Sequence, residues 1–321
     1  MGDFAFEDCL LKHYIRKEVW LPKCKAQLKH VRDASTTKKP RRLRYFTFCA
    51  VGALDVLMLD RAKVVRTSSS TGLFDTVCFF DRDNQAVVET QKRIPGATGF
   101  PGDFVDVVLQ AQDGAALDLH IPTDAPDTQE TRRKQRRKAQ LDTFVQTFPF
   151  DVINLDVEQY LFKPSEELPG KLANAMRKIF EWQRRQGMGS NRREFTLSEF
   201  TLMFTTRVGP TDLPDDYIQY LRDHCLQENI NTHGELKEPF LEKSKGKSVT
   251  DFFKDDFDAA FKLAVPKSLS EIAYEHDWYV DDMSGIQVFQ FDRTHEEGQY
   301  RMLHMAMTVK RHEPPSRLLK K

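Results

Sequence analysis

The sequence predicts an α/β protein: a mostly parallel sheet with helices on both faces, completed by a C-terminal antiparallel hairpin. Three observations predict it. Strand-like apolar segments alternate with helical ones along most of the chain, the pattern of parallel strands joined by crossover helices. The run "FDVINL" at 150–155, with Phe150, Val152, Ile153 and Leu155, is the clearest candidate in the chain for a buried parallel strand. Residues 285–311 alternate, turn at Glu296-Glu297-Gly298 and alternate again, which is a hairpin signal.

In chain order, residues 1 to about 35 read as helical, with Leu10, Leu11, Tyr14, Ile15 and Trp20 at mixed three- and four-residue spacing. A basic linker follows. The segment "LRYFTFCAVGALDVLML" at 43–59 opens as a central strand and turns helical in its later half. After a serine-rich loop, "TVCFF" at 76–80 is a second strand that runs into Asp81-Arg82-Asp83 and a helix at 84–93, broken by Pro95-Gly96. "ATGFPGDF" at 97–104 gives a short third strand or turn, followed by the apolar run 105–109. Residues 111–130 read as loop, with Gly114, Pro122 and Pro126, and 131–148 as a helix whose first turns are basic. The fourth strand follows, then a helix at 168–186 closed by Gly187 and Gly189. A β-rich run at 195–206 is stopped by Gly209-Pro210, and residues 211 to about 270 are mostly helical. The organisation expected is an N-terminal helical extension and linker (1–42), a core (43–210) with an insertion at about 111–148, a helical segment (211–283) and a terminal hairpin with a basic tail (284–321).

Hydrophobic residues make up 40% and charged residues 30% of 321, the composition of an ordinary globular protein. No apolar run reaches the roughly 18 residues of a membrane span, and Asp3, Glu7 and Asp8 do not fit a signal peptide, so a cytoplasmic location with no membrane partner is the expectation. Five widely spaced cysteines without a CxxC pair suggest neither a disulfide framework nor a metal site. Phosphate-loop, HExxH and GxSxG signatures are absent, which leaves P-loop hydrolysis, zinc proteolysis and the usual serine hydrolysis unsupported.

In a parallel sheet the groups just beyond the carboxyl ends of the strands share one crevice. They are Cys49 and Gly52 after the first strand, Asp81 after the second, Gly102 and Asp103 at the third, and Asn154, Asp156, Glu158 and Tyr160 after the fourth. A small-residue turn admits a ligand to the backbone, an acid after the second strand accepts from ribose hydroxyls, and a later acid accepts from an adenine amino group.

With "FCAVGALD" after the first strand, "VCFFDRD" after the second, "GFPGDF" at the third and "FDVINLD" at the fourth, the chain resembles the class I S-adenosylmethionine-dependent methyltransferases. The resemblance covers about 43–311 in order of elements. It implies a Rossmann-like fold, S-adenosylmethionine as cofactor, and cofactor contacts at Cys49, Gly52, Asp81, Gly102 and Asp103. It also places Asn154, Asp156, Glu158 and Tyr160 where an acceptor would be positioned or deprotonated. On the residues alone, Asp156 could equally cap the next element, with Glu158 simply exposed.

The first turn carries a single glycine, and the fourth-strand motif lacks the two prolines that follow the Asn or Asp in methyltransferases acting on base amines. Beside a methyltransferase with a nucleic-acid or nucleic-acid-associated acceptor, the alternative is therefore a catalytically silent member of the fold, a binding or scaffolding subunit, with protein partners, of a nucleic-acid-processing assembly. Arg132, Arg133, Arg136 and Arg137 form a basic cluster in the insertion. They fit either contact with nucleic-acid phosphates or a solvated helix face.

Overall fold

The computed structural model describes residues 10–34, 42–49, 52–68, 77–112, 128–157, 161, 170–185, 187–188, 194–208, 215–292 and 299–312. The chain begins with α1 (Leu10–Ile15), a π-helical turn at Arg16–Trp20 and α2 (Leu21–Asp33). Then come β1 (Tyr45–Thr47), α3 (Leu54–Arg61), β2 (Val77–Asp81), α4 (Asn84–Arg93), β3 (Thr98–Pro101) and α5 (Phe104–Gln112). The middle of the chain holds α6 (Gln129–Gln146), β4 (Val152–Asp156), α7 (Lys171–Gln183), the short pair β5 (Gly187–Met188) and β6 (Glu194–Phe195), and β7 (Glu199–Val208). A helical stretch follows: α8 (Asp215–Gln219), a π-helical Tyr220–Glu228, α9 (Asn229–Thr232), α10 (Lys237–Ser244), α11 (Val249–Asp255) and α12 (Phe257–Tyr274). The hairpin strands β8 (Trp278–Asp292) and β9 (Gln299–Arg311) come last.

The main sheet has seven strands in the order β3-β2-β1-β4-β7-β9-β8. β1 to β4 and β7 are parallel neighbours, while β9 runs antiparallel between β7 and β8. This is a Rossmann-like architecture, with the strand-order reversal between β1 and β4, where open α/β sheets bind ligands. The hairpin begins at Trp278 rather than near 285. Its early acids, Asp281 and Asp282, break the apolar alternation yet are held by Lys310 and Lys23 at 2.7 and 2.5 Å.

Alternation assigns each side chain of the sheet to a face. Phe46, Cys78, Phe80, Ile153, Leu155, Phe200 and Phe204 face the core made with α5, α6, α7 and the helical stretch to α12. Tyr45, Val77, Phe79, Val152, Met203 and Ala306 face a second core made with α1 to α4. The aromatic density of the first core holds β1 and β4 in place: Phe46 lies 5.4 to 6.4 Å, centroid to centroid, from the rings of Phe150, Phe80, Phe104, Phe144, Phe48 and Phe148. Gln183 of α7 fixes the entry to β4 by accepting from the Phe150 N–H at 2.7 Å and donating to its carbonyl at 2.8 Å. No described helix is long and apolar enough to cross a membrane.

Candidate functional site at the carboxyl ends of β1, β2 and β4

The sequence-predicted residues separate into a rim and a buried layer beneath it. Asp81 ends β2 at the rim, half-buried, and its Oδ1 accepts from the Asp83 N–H at 2.9 Å. Burial pushes its carboxyl above the usual carboxylate range, although the hydrogen bond from the Asp83 N–H acts the other way. The backbone beside it is set by Gly102, whose N–H donates to the Asp81 carbonyl at 2.9 Å while its φ of 123° lies where side chains are rarely tolerated. A Cβ there would also stand 3.2 Å from Val107.

Asp103 is occupied with structure. Its Oδ1 accepts from the Val105 N–H at 3.0 Å, capping α5, and its Oδ2 accepts from Arg82 Nε at 3.1 Å. Cys49 is buried, and burial first, then Asp55 and Asp81, pushes its thiol well above the ordinary value. Its side chain is therefore filler. Gly52 does not take the left-handed conformation of the first turn; Ala53 does, at φ 46°. A Cβ on Gly52 would meet only ordinary contacts with Leu54, so close approach at this glycine is not enforced by its neighbours.

Asn154, read from the sequence as a strand-end group at the crevice floor, lies inside β4 and is 1% exposed. Its Nδ2 donates to the Tyr45 hydroxyl at 2.9 Å, Tyr45 donates to Asp55 Oδ2 at 3.2 Å, and Thr47 donates to the same oxygen at 2.9 Å. Sequence reasoning missed this network. The alternation of "YFT" does place Tyr45 and Thr47 on one face, but Asp55 reads as an ordinary first-turn acid until α3 packs above them. Asp156 is at the rim, where Lys12 of α1 reaches it at 2.7 Å. Glu158 and Tyr160 lie outside the described residues.

The N-terminal helices carry the other groups that the sequence did not announce. Trp20 Nε1 donates to His304 Nε2 at 3.2 Å, so His304 Nδ1 bears the proton and donates to Thr205 Oγ1 at 3.0 Å. His304 is fully buried, and burial drives its pKa down to about 4 although Asp156 pulls the other way. It is a neutral bridge between the N-terminal helix and the sheet.

On α6, Arg132, Arg133 and Arg136 are exposed. Arg137 differs: its guanidinium donates to Gln110 of α5 at 2.9 Å and to Gln140 at 3.2 Å, and burial lowers its pKa. It joins the two helices. No group of His, Cys, Asp and Glu able to hold a metal ion occurs among the described residues.

No family model and no curated protein matches the chain. Among solved structures, the chain is similar to TYW2 of M. jannaschii in complex with AdoMet, at 10% identity over 92% of this chain and 80% of that one, with a TM-score of 0.34. It is similar to the fibrillarin pre-rRNA processing protein of Methanococcus jannaschii at 11% identity, over 91% and 76% of the two chains, with a TM-score of 0.32. A putative RNA methyltransferase from Pyrococcus horikoshii is similar at 7% identity, over 90% and 82%, with a TM-score of 0.32. The fold assignment rests on strand order and direction, not on likenesses this distant.

Proposed function

We propose that the crevice at the ends of β1, β2 and β4 binds S-adenosylmethionine and that the protein is a class I methyltransferase. The observation that carries this reading is the Asp81 carboxyl, half-buried at the end of β2 beside the strand-order reversal, with its backbone fixed by Gly102. A carboxylate so placed can accept from both ribose hydroxyls. Bound there, the cofactor would supply an electrophilic methyl group, and Asp156 at the rim of β4 would take the proton that a neutral acceptor gives up on methylation, once Lys12 moves aside.

Removing the ribose acceptor tests the reading. Asp81→Ala should weaken S-adenosylhomocysteine binding by about 1 to 3 kcal/mol, the penalty for leaving polar groups unpaired. Calorimetry that finds equal affinities would displace Asp81 from the site.

The acceptor proposed is a nucleic acid or a nucleic-acid-associated molecule. Supporting it are Arg132, Arg133 and Arg136, exposed together on α6. Replacing Arg133 and Arg136 with alanine should weaken binding to single-stranded RNA or DNA and flatten its dependence on salt, since fewer counterions are released. Binding that is absent, or indifferent to salt, would remove nucleic acid from the proposal.

A second reading, a silent scaffold of the same fold, is favoured by the commitments of β4. Asn154 is buried on Tyr45, and Asp156 is held by Lys12. Cofactor binding without methyl transfer to any nucleic acid would favour it.

A further inference from the structure

We infer that Arg16 is the anion-binding residue of the crevice and takes the carboxylate at the amino-acid end of the bound nucleoside; this rests on the cofactor reading above. Lys12, Arg16 and Trp20 stand at four-residue spacing along the N-terminal helix and so share a face. The outer two are committed: Lys12 to Asp156 of β4, and Trp20 to His304 of β9. Arg16 lies between them, its Cζ 5.8 Å from the centre of the Trp20 ring.

Arg16 Nε and Nη1 are out of contact with water and have no hydrogen-bond partner among the described residues. Guanidinium N–H groups without water or an acceptor are unfavourable, and an incoming acceptor relieves that. Arg16 also lies close enough to Cys49, just past β1, to favour its thiolate electrostatically. Its charge therefore acts at the ends of β1 and β4, where the strand order reverses.

The carboxyl groups at the strand ends make other contacts, Asp81 Oδ1 with the Asp83 N–H among them. Asp156 has Lys12, Asp55 has the hydroxyls of Tyr45 and Thr47, and Asp103 has Arg82 and the start of α5. The missing acceptor is thus best supplied by the ligand. A carboxylate suits the planar fork of a guanidinium. A phosphate suits the site less, because its greater charge would stand near the acids Asp55, Asp81 and Asp156, with no glycine-rich cradle at the first turn.

Two ligands separate this assignment from the reading beneath it. S-adenosylhomocysteine carries the amino-acid end, and methylthioadenosine has the same nucleoside without it. Calorimetric titration of the full chain should give tighter binding of S-adenosylhomocysteine. Arg16→Gln should weaken that ligand by about tenfold to a hundredfold, the range of a charge-assisted hydrogen bond, and leave methylthioadenosine within about twofold. Arg16→Lys, which keeps the charge but not the fork, should fall between and serves if the glutamine variant does not fold. Equal losses for both ligands, no loss for either, or a wild type that does not prefer the carboxylate ligand would overturn Arg16 alone. A wild type that binds neither ligand would overturn the cofactor reading and this inference with it.

Discussion

Phe46→Ala should destabilise the protein by about 3 to 5 kcal/mol, the usual penalty for emptying a ring-sized space in a packed core. Phe46 has no exposed surface, sits in the middle of β1 and has six phenylalanine rings around it, so no neighbour can collapse into the gap without leaving its own contacts. Against the roughly 5 to 15 kcal/mol by which ordinary domains are stable, that is a large fraction. Denaturant unfolding should show the midpoint fall steeply, while the exposed Val88→Ala changes stability by about 0.5 kcal/mol or less. A Phe46→Ala loss below about 1 kcal/mol would mean that β1 is not anchored by this cluster.

Acid should weaken the protein through His304. In the unfolded chain its imidazole titrates near 6.5, and in the folded protein near 4, because burial disfavours the charged ring. Between these values the unfolded state binds the extra proton, so stability falls as pH drops from about 6.5 to about 4 and this contribution is flat outside that window. At about 1.4 kcal/mol per pH unit the full effect approaches about 3 kcal/mol. Asp81, whose carboxyl is pushed upward, works in the opposite sense, and the comparison is therefore made within one variant pair. Unfolding of wild type and His304→Gln at pH 7 and pH 5 should show a larger acid loss in the wild type. Equal losses would mean that His304 takes its proton without penalty. Protonated Nε2 can no longer accept from Trp20, so the first contact to suffer is the docking of the N-terminal helix.

The sequence reveals the architecture because its signals are local. "FDVINL" is apolar enough to be a central strand, "EFTLMFTT" likewise becomes β7, and the alternating runs near the end become β8 and β9, although the turn read at Glu296-Glu297-Gly298 lies outside the described residues. The rim residues Asp81 and Gly102 follow from strand order. The contacts that govern the site's chemistry are not local. Lys12 and Asp156 are 144 residues apart, and Trp20 and His304 are 284 apart. Nothing in the neighbourhood of Lys12 or Arg16 distinguishes them from solvated helix residues until the helix is laid across the sheet. Asn154 reads as a strand-end group, and only the fold shows the amide donating inward to the Tyr45 hydroxyl. Arg137 was grouped with three exposed arginines by sequence proximity, and packing against α5 separates it from them.

The central claim, that the crevice between β1, β2 and β4 holds S-adenosylmethionine, is tested most directly by titrating the full chain with S-adenosylmethionine in a calorimeter, with thermal unfolding followed in parallel. A single saturable site and a rise in unfolding temperature are predicted, because a ligand that binds only the folded state stabilises it. No heat and no shift at millimolar ligand would contradict the claim.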